Sequence, residues 1–267
     1  MKRMNTLIAV IFTILFVCQT GSIQAASGKA DKELDVDELF KGIDGTMVIK
    51  DLDTDNLYIY NPDRSKQTFT PESTFKVPHS LIGLEEKAII DEYEVKRWDG
   101  VIREFETWNR DHSLASAMRY SAIWFYQDMA KDIGNERMQH NLTKMNYGNK
   151  DISGGLDTFW LDSSLKISAQ EQVEFLEQLV EEKLPYQEQN LKTVKRIMIN
   201  DEQNEYTLYG KTGTRLSDLG LGWYVGFIKT KNKTWVFATN IDGSGTIAKN
   251  ITIDCLKEMK IIPTEIK

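Results

Sequence analysis

The stretch Ser73-Thr74-Phe75-Lys76 opens an apolar segment that has the residue spacing of a helix. Pro71 stands just before it, where proline fits the start of a helix. Residues three apart lie on one face of a helix, so the Ser73 hydroxyl and the Lys76 amine are predicted to lie about one turn apart. A serine hydroxyl attacks a carbonyl only with a base beside it, and this spacing supplies a candidate base.

A second motif, Lys211-Thr212-Gly213, ends a strand-like segment. A lysine there can attract an anionic substrate, and the hydroxyls of Thr212 and Thr214 can bind its carboxylate. Gly213 is expected to let a substrate approach the backbone closely. A phosphate loop would need glycine where Glu205 stands, and no helical pattern follows. We therefore interpret this motif as a binding edge for a carboxylate.

The Ser-x-x-Lys pattern alone is a weak signal, since average residue usage predicts about one chance match in a chain of this length. Ser163-Ser164-Leu165-Lys166 matches the pattern too. That second match lies in a loop-like segment just before a capping box at residues 168–171, so we interpret it as an exposed turn. Only the first match opens an apolar helix.

Lys76 can act as a base only when its amine is neutral. Burial disfavours the charged form of an amine and can lower its pKa by several units. Phe75 beside it, with Ile123 and Trp160 from later segments, would supply apolar surroundings. The plainer alternatives are a helix-capping Ser73 with Lys76 in solvent, and Trp160 as an ordinary core residue.

Residues 114–133 carry aromatic and aliphatic side chains on all sides and are predicted to form one buried central helix. Ser121, in the middle of this segment, is a candidate to relay a proton or to bind Lys76. Alternatively, its hydroxyl bonds its own helix backbone. Tyr147-Gly148-Asn149 is predicted to be a turn, with or without a functional role.

Strand-like segments occur near both ends of the chain, and helical patterns fill most of residues 113–183 and residues 190–203. The sequence therefore predicts an α/β fold of the α+β type. One antiparallel sheet is built from both termini and flanked by helices, with an inserted all-helical lobe. The site is expected at the seam between sheet and lobe. Expected strands are residues 45–49, 56–60, 206–211, 222–230 and 234–241, and expected helices include 173–184, 190–203 and 246–259.

Composition and charge argue against several classes of function. The chain has 267 residues and a net charge of −7, a poor match for nucleic acid or anionic lipid. His79, His112 and His140 are isolated and lack metal-ligand spacing, so no metal is expected. A Ser-His-Asp triad has no nearby candidate either.

Residues 1–25 have the features of a signal peptide. Lys2 and Arg3 precede an apolar run at residues 7–17, shorter than the roughly 20 residues that span a bilayer. Cleavage before Ala26 would leave residues 26–267 as one catalytic domain with no membrane contact. A retained anchor, or lipid attached at Cys18, is the alternative.

Together these motifs resemble class D serine β-lactamases in order and spacing, over roughly residues 40–262. The resemblance implies the fold shared with penicillin-binding proteins and hydrolysis of the β-lactam ring of penicillin-type antibiotics. It implies a protein that is secreted or held in the bacterial cell envelope, needs no cofactor and is a monomer or weak dimer. The motifs are Ser73-Thr74-Phe75-Lys76, Ser121-Ala122-Ile123, Tyr147-Gly148-Asn149, Trp160 and Lys211-Thr212-Gly213.

The family's mechanism, carried over by position, makes Ser73 the nucleophile that forms an acyl-enzyme. Lys76 is expected to react with carbon dioxide, and the resulting carbamate would be the general base for acylation and for hydrolysis. Trp160 would donate a hydrogen bond to this carbamate, with Phe75 and Ile123 as its other supports.

The resemblance also assigns the remaining site residues. Ser121 would pass a proton to the departing lactam nitrogen. Lys211, Thr212 and Thr214 would lie along the substrate carboxylate. The backbone N–H groups of Ser73 and Thr214 would form the oxyanion hole.

Two positions depart from the family's usual pattern. Ile123 stands where valine is common, and its extra methylene would crowd the carbamate or narrow the path of water. Lys249 stands where an arginine commonly binds the substrate carboxylate, and lysine cannot form arginine's two parallel bonds. We therefore expect competent acylation with modest turnover.

Two other functions share the serine–lysine chemistry. One is an antibiotic-sensing domain that keeps its acyl group, normally fused to a multi-span membrane anchor. The other is a peptidoglycan peptidase or transpeptidase. The sequence favours the hydrolase over both.

Overall fold

The structure is a computed structural model and describes residues 31–161 and 163–264. The predicted signal peptide, residues 1–25, lies outside the described residues. Within these two ranges, no helix is both long and apolar enough to cross a membrane.

Seven of the strands in the described residues form one sheet, and the other two form a separate ribbon. The strands are β1 (Lys32–Glu33), β2 (Gly45–Asp51), β3 (Asn56–Tyr60), β4 (Val95–Lys96), β5 (His112–Ser113), β6 (Ile199–Glu202), β7 (Tyr206–Thr214), β8 (Gly222–Thr230) and β9 (Thr234–Ile241). The sheet order is β1-β3-β2-β9-β8-β7-β6, and β4 pairs with β5. Neighbours are antiparallel except β1, which runs parallel to β3. The predicted sheet built from both ends of the chain is confirmed.

The α-helices of the described chain lie mostly between β3 and β6. They are α1 (Pro62–Ser65), α2 (Lys76–Glu85), α3 (Leu114–Tyr120), α4 (Ile123–Ile133), α5 (Asn135–Lys144), α6 (Ala169–Val180), α7 (Glu188–Ile197) and α8 (Gly245–Glu258). Short 3₁₀ helices cover Asp37–Phe40, Glu72–Phe75 and Glu106–Trp108. The inserted helical lobe expected from the sequence is therefore present.

Two hydrophobic cores lie on the two faces of the sheet. The larger core packs one face against the lobe, with residues of α2, α4 and α6 at its centre. The smaller core packs the other face against α8 and the first 3₁₀ helix. The middle strands β8 and β9 are buried along nearly their whole length because both of their faces are covered.

The predicted central helix over residues 114–133 is wrong at one point, because Ser121 divides it into α3 and α4. Ser121 has a left-handed backbone with φ of 57°, an uncommon conformation for a residue with a side chain. Two indoles stabilise the break: Trp108 Nε1 donates to the Tyr120 carbonyl at 2.8 Å, and Trp124 Nε1 donates to the Trp108 carbonyl at 2.7 Å. These bonds come from tertiary structure, so local sequence does not reveal them.

Two other predicted helices end early. The helix predicted for residues 190–203 ends at Ile197, and Ile199–Glu202 instead pairs with β7 as an edge strand. The helix predicted to reach Leu184 ends at Val180. In the first case the neighbouring strand supplies backbone partners that outweigh local helix propensity.

The 3₁₀ helix that carries Ser73 packs on strand β7, and Gly213 makes this contact possible. A Cβ at Gly213 would lie 3.0 Å from the Pro71 carbonyl oxygen and 3.2 Å from Thr74 Cγ2. Gly213 therefore has a packing role toward the neighbouring chain segment. The close approach of a substrate to its backbone stays a prediction.

Gly213→Ala is expected to push the segment of Ser73 away from the sheet. Overpacking of this kind should lower the free energy of unfolding by about 1–3 kcal/mol. It should also slow acylation of Ser73, because the nucleophile moves with its backbone. Chemical denaturation and the acylation rate measure the two effects. Thr207→Ala on the same strand is the control, and equal behaviour of both variants would contradict this role.

Candidate active site

Ser73 and Lys76 lie at the junction of the 3₁₀ helix and α2, in direct contact. Lys76 Nζ donates a hydrogen bond to Ser73 Oγ at 2.8 Å. Lys76 is fully buried, which is rare for a lysine. The predicted juxtaposition of hydroxyl and amine is therefore present, and the alternative of a solvated Lys76 is wrong.

Electrostatics favour the neutral form of the Lys76 amine. Burial lowers the pKa of Lys76 well below its usual value, and the nearby charge of Lys211 lowers it further. Glu72 acts in the opposite direction but does not reverse the effect. A neutral amine can accept a proton or attack an electrophile, whereas an ammonium can do neither.

Aromatic rings form the pocket behind Lys76. Phe75 lies at the centre of this cluster, with its ring stacked on Trp160 at 5.6 Å and edge-on to Tyr147 at 5.7 Å. Trp160 is fully buried, and its indole Nε1 has no hydrogen-bond partner. Buried indole N–H groups usually find an acceptor, so this donor is available to a group added to the pocket.

The residue before the nucleophile has an unusual backbone. Glu72 has φ of 51°, in the left-handed region, at a cost on the order of 1–3 kcal/mol. Its N–H donates to the Trp160 carbonyl at 3.0 Å, and its carboxylate accepts from the Thr70 hydroxyl at 2.6 Å. These bonds hold a turn that sets the position of Ser73.

The cleft at Ser73 is lined by residues from the Ser121 segment and from the Lys211-Thr212-Gly213 strand. A cavity of about 160 Å³ is lined by Ser73, Ser121, Ile123, Thr212 and Thr214, among others. Ser121 reaches this cleft because its left-handed backbone ends α3 there, and Ile123 follows as the first residue of α4. The structure thus brings these five predicted residues together.

An apolar rim surrounds the cleft, and the sequence did not reveal it. Phe105, Trp108, Tyr120 and Leu216 line the same cavity. Phe105 is 40% exposed and Leu216 44% exposed, on segments that come from different parts of the chain. Trp108 ends the 3₁₀ helix Glu106–Trp108.

A second cavity, of about 320 Å³, shares Thr212 with the cleft and is strongly cationic. Lys211, Lys249 and Arg119 line it. Lys211 is buried, and its Nζ donates to the Thr212 carbonyl at 2.8 Å. Burial and the charge of Lys249 lower the pKa of Lys211 to about 7. The arrangement favours an anion, since a bound negative charge would restore the charged form of Lys211.

Thr214 faces the N-terminus of α8. Its hydroxyl accepts a hydrogen bond from the Gly245 backbone N–H at 2.8 Å. Lys249 lies in the second turn of the same helix, with Nζ 5.8 Å from the centre of the Tyr224 ring. Helix α8 therefore positions one edge of the cationic cavity.

Tyr147-Gly148-Asn149 packs against and bonds to the loop that carries Lys166. A Cβ at Gly148 would lie 2.2 Å from the Lys166 carbonyl oxygen, and Asn149 Oδ1 accepts from the Lys166 N–H at 2.9 Å. The predicted turn is present, with a structural role. The second Ser-x-x-Lys match lies in the same loop, where Ser164 Oγ donates to the Asp151 carbonyl at 2.8 Å.

Comparisons with known proteins agree with this geometry. The penicillin binding protein transpeptidase domain matches residues 11–255. The probable β-lactamase YbxI of Bacillus subtilis is 56% identical over 261 residues, which cover 94% of this chain and 98% of that protein. A class D β-lactamase structure from Bacillus subtilis has a TM-score of 0.85 at 60% identity, and the match covers 86% of this chain and 97% of that one. The chain belongs to the class D β-lactamases.

More distant class D β-lactamases match as well. OXA-48 of Klebsiella pneumoniae is 41% identical over 226 residues, 82% of this chain and 84% of that protein. The resemblance inferred from the motifs is confirmed, and so is the fold that it implied.

The neighbouring lysines predict a specific pH dependence. Lys211 loses its proton near pH 7, so kcat/KM for an anionic penicillin should fall as the pH rises through this value. Lys249→Gln removes the neighbouring positive charge, so the pKa of Lys211 should rise and the fall should move to higher pH. Steady-state kinetics across neutral pH test this shift.

Lys257→Gln is the matched control, because Lys257 lies on the same helix and pairs with Asp254 at 2.9 Å. A β-lactam with an esterified carboxylate serves as the control substrate and should show no such fall. An unchanged profile in Lys249→Gln would contradict the coupling between the two lysines.

Proposed function

We propose that this protein hydrolyses the β-lactam ring of penicillin-type antibiotics through an acyl-enzyme on Ser73. The observation that carries the proposal is the 2.8 Å contact between the buried Lys76 amine, whose pKa is lowered by burial, and the Ser73 hydroxyl. Its support is the membership of the chain in the class D β-lactamases and the cationic cavity next to the cleft.

The chemistry begins with proton transfer from Ser73. As the base on Lys76 takes the hydroxyl proton, Ser73 Oγ forms a bond to the lactam carbonyl carbon. The ring C–N bond then breaks, and the nitrogen receives a proton through Ser121. Backbone N–H groups of Ser73 and Thr214 bind the developing oxyanion. Hydrolysis of the ester releases the opened product and restores Ser73.

The base on Lys76 is proposed to be a carbamate formed with carbon dioxide. Only a neutral amine attacks carbon dioxide, and the lowered pKa of Lys76 favours that form. The fit of the pocket rests on Trp160 Nε1, a buried donor without a partner beside Phe75. A carbamate would supply a carboxylate-type base, with Trp160 and Ser73 as hydrogen-bond donors and Phe75 and Ile123 as apolar walls.

The substrate carboxylate is assigned to the binding edge. Lys211 and Lys249 would attract it, and Thr212 and Thr214 would bind it by their hydroxyls. Lys249 offers a point charge rather than a bidentate fork, so the orientation of the carboxylate depends more on the threonines. The apolar rim would contact the acyl side chain of the antibiotic.

We further propose that residues 1–25 direct export and are then removed, leaving a catalytic domain at the cell envelope or outside the cell. The mature protein would act as a monomer or weak dimer and would need no metal. Residues 1–25 combine a basic start with a short apolar run, which supports export.

A single assay tests the proposed function. Purified protein is mixed with a chromogenic cephalosporin or a penicillin, with and without bicarbonate, while ring opening and protein mass are followed. Repeated turnover supports the hydrolase. One lasting mass increase on Ser73 identifies a sensor instead, and cleavage of D-Ala-D-Ala peptides without lactam turnover identifies a peptidase.

Variants of the two central residues separate their roles. Ser73→Ala should abolish the mass increase, because the nucleophile is gone. Lys76→Ala should lower kcat at least about 100-fold, the usual contribution of a general base. Mass spectrometry and steady-state kinetics measure both effects. Ser163→Ala, in the second Ser-x-x-Lys match, is the control. Full activity in Lys76→Ala would contradict the assignment of Lys76 as the base.

Ile123→Val tests whether the larger side chain limits turnover. Removing one methylene beside Ser73 should open the path of water and raise the deacylation rate several-fold. The acylation rate should change little, because the Ser73–Lys76 contact stays intact. Pre-steady-state mass spectrometry separates the two rates. A slower deacylation in this variant would show that Ile123 assists the reaction instead.

A further inference from the structure

His79 is a buried histidine without hydrogen bonds. It is fully buried, and neither ring nitrogen has a partner. His112, the other buried histidine of the described chain, bonds through both nitrogens, to Ser116 Oγ and to the Thr107 carbonyl, each at 2.9 Å. Leaving buried polar atoms unpaired costs about 1–3 kcal/mol each, so His79 requires an explanation.

The position of His79 connects it with the reactive amine. It follows Lys76 by three residues on α2, so both side chains lie on one face of that helix. Its ring lies 5.1 Å from the ring of Trp160 and 5.3 Å from that of Phe75. The rings of His79 and Trp160, both with buried nitrogens that lack a hydrogen-bond partner, therefore lie in contact.

The His79 ring is uncharged and can still donate a hydrogen bond to an anion. Burial and the neighbouring Lys76 lower the pKa of His79 to about 3, so the ring is neutral. A neutral imidazole carries one N–H donor and one acceptor nitrogen. A carbamate on Lys76 would present two oxygens with about four lone-pair sites, and Trp160 supplies only one N–H.

We propose that His79 is a positioning residue that donates its ring N–H to a carbamate on Lys76, beside the N–H of Trp160. This inference rests on the carbamate proposed above. In the step concerned, the neutral amine nitrogen bonds to the carbon of carbon dioxide, one C=O electron pair moves to oxygen, and an amine proton leaves to solvent. After this addition, the ring N–H of His79 and the indole N–H of Trp160 would each have an acceptor.

The experiment measures the carbamate itself. Protein equilibrated with ¹³C-labelled bicarbonate is titrated at constant pH, and the carbamate resonance gives the bicarbonate concentration at half occupancy. His79→Phe keeps a ring but removes both nitrogens, and it should raise this concentration about tenfold or more, the value of a hydrogen bond to a charged group. Turnover without added bicarbonate should fall in parallel.

Two conservative variants and one control sharpen the test. Asn at position 79 places an amide N–H near the position of Nδ1, and Gln places one near Nε2. At least one of His79→Asn and His79→Gln should restore the bicarbonate midpoint, the concentration at half occupancy, to its value in the parent protein. The variant that restores it identifies the donating nitrogen. His112→Phe is the matched control, with an unchanged midpoint.

Thermal unfolding without bicarbonate provides a second readout. His79→Phe should melt at a higher temperature than the parent, because an unpaired buried group is gone. His112→Phe should melt lower, because two hydrogen bonds are lost. A merely structural role for His79 would lower its melting temperature and leave the midpoint unchanged.

The outcomes separate the two proposals. If the parent and His79→Phe both form the carbamate and reach half occupancy at the same bicarbonate concentration, the role of His79 is overturned and the carbamate proposal stands. No carbamate signal in a parent protein that hydrolyses lactams overturns both the carbamate and the role of His79, but not the hydrolase. Failure of both amide variants to restore the midpoint also counts against the role of His79.

Discussion

The removal of the Lys76 amine from water, in contact with Ser73, is the constraint on which the site depends. The half-buried Lys50 shows the contrast, because it is paired with acids. Lys50 pairs with Glu177 at 2.7 Å, and its hydrogen bonds to Glu177 and Asp55 raise its pKa. Lys76 instead contacts a hydroxyl, and its pKa falls. Isolated buried charges are too costly to keep, so the amine stays neutral and becomes reactive.

The fold accepts local costs to hold this arrangement. Glu72, next to the nucleophile, and Ser121, which lines the cleft, have left-handed backbones, and the buried donors of Trp160 and His79 lack partners. Such strain persists only when the surroundings determine it. Here the surroundings are the central strands β8 and β9 and the aromatic cluster around Phe75, whose burial offsets these local costs.

Much of the fold could be predicted from sequence, for identifiable reasons. Strands 222–230 and 234–241 match their expected bounds because two apolar runs are separated by a short polar turn at residues 231–233. The break at Ser121 could not be predicted, because the hydrogen bonds that stabilise it join the Trp108 segment to Tyr120 and Trp124, 12 and 16 residues further along the chain. The site residues followed from motif spacing, whereas the packing role of Gly213 and the apolar rim depend on contacts between distant segments. His79 was set aside as an isolated histidine, although its spacing from Lys76 was a usable signal.

The most direct measurement of the central claim is the titration of Lys76 itself. Protein with ¹³C at the lysine ε-carbon is studied by NMR in bicarbonate-free buffer, and Lys76→Arg assigns the resonance. We expect Lys76 to titrate far below the usual lysine pKa of about 10.4 and to be neutral in mildly alkaline solution. A resonance that titrates at the usual value would contradict the account, because the amine would then be charged and unable to activate Ser73.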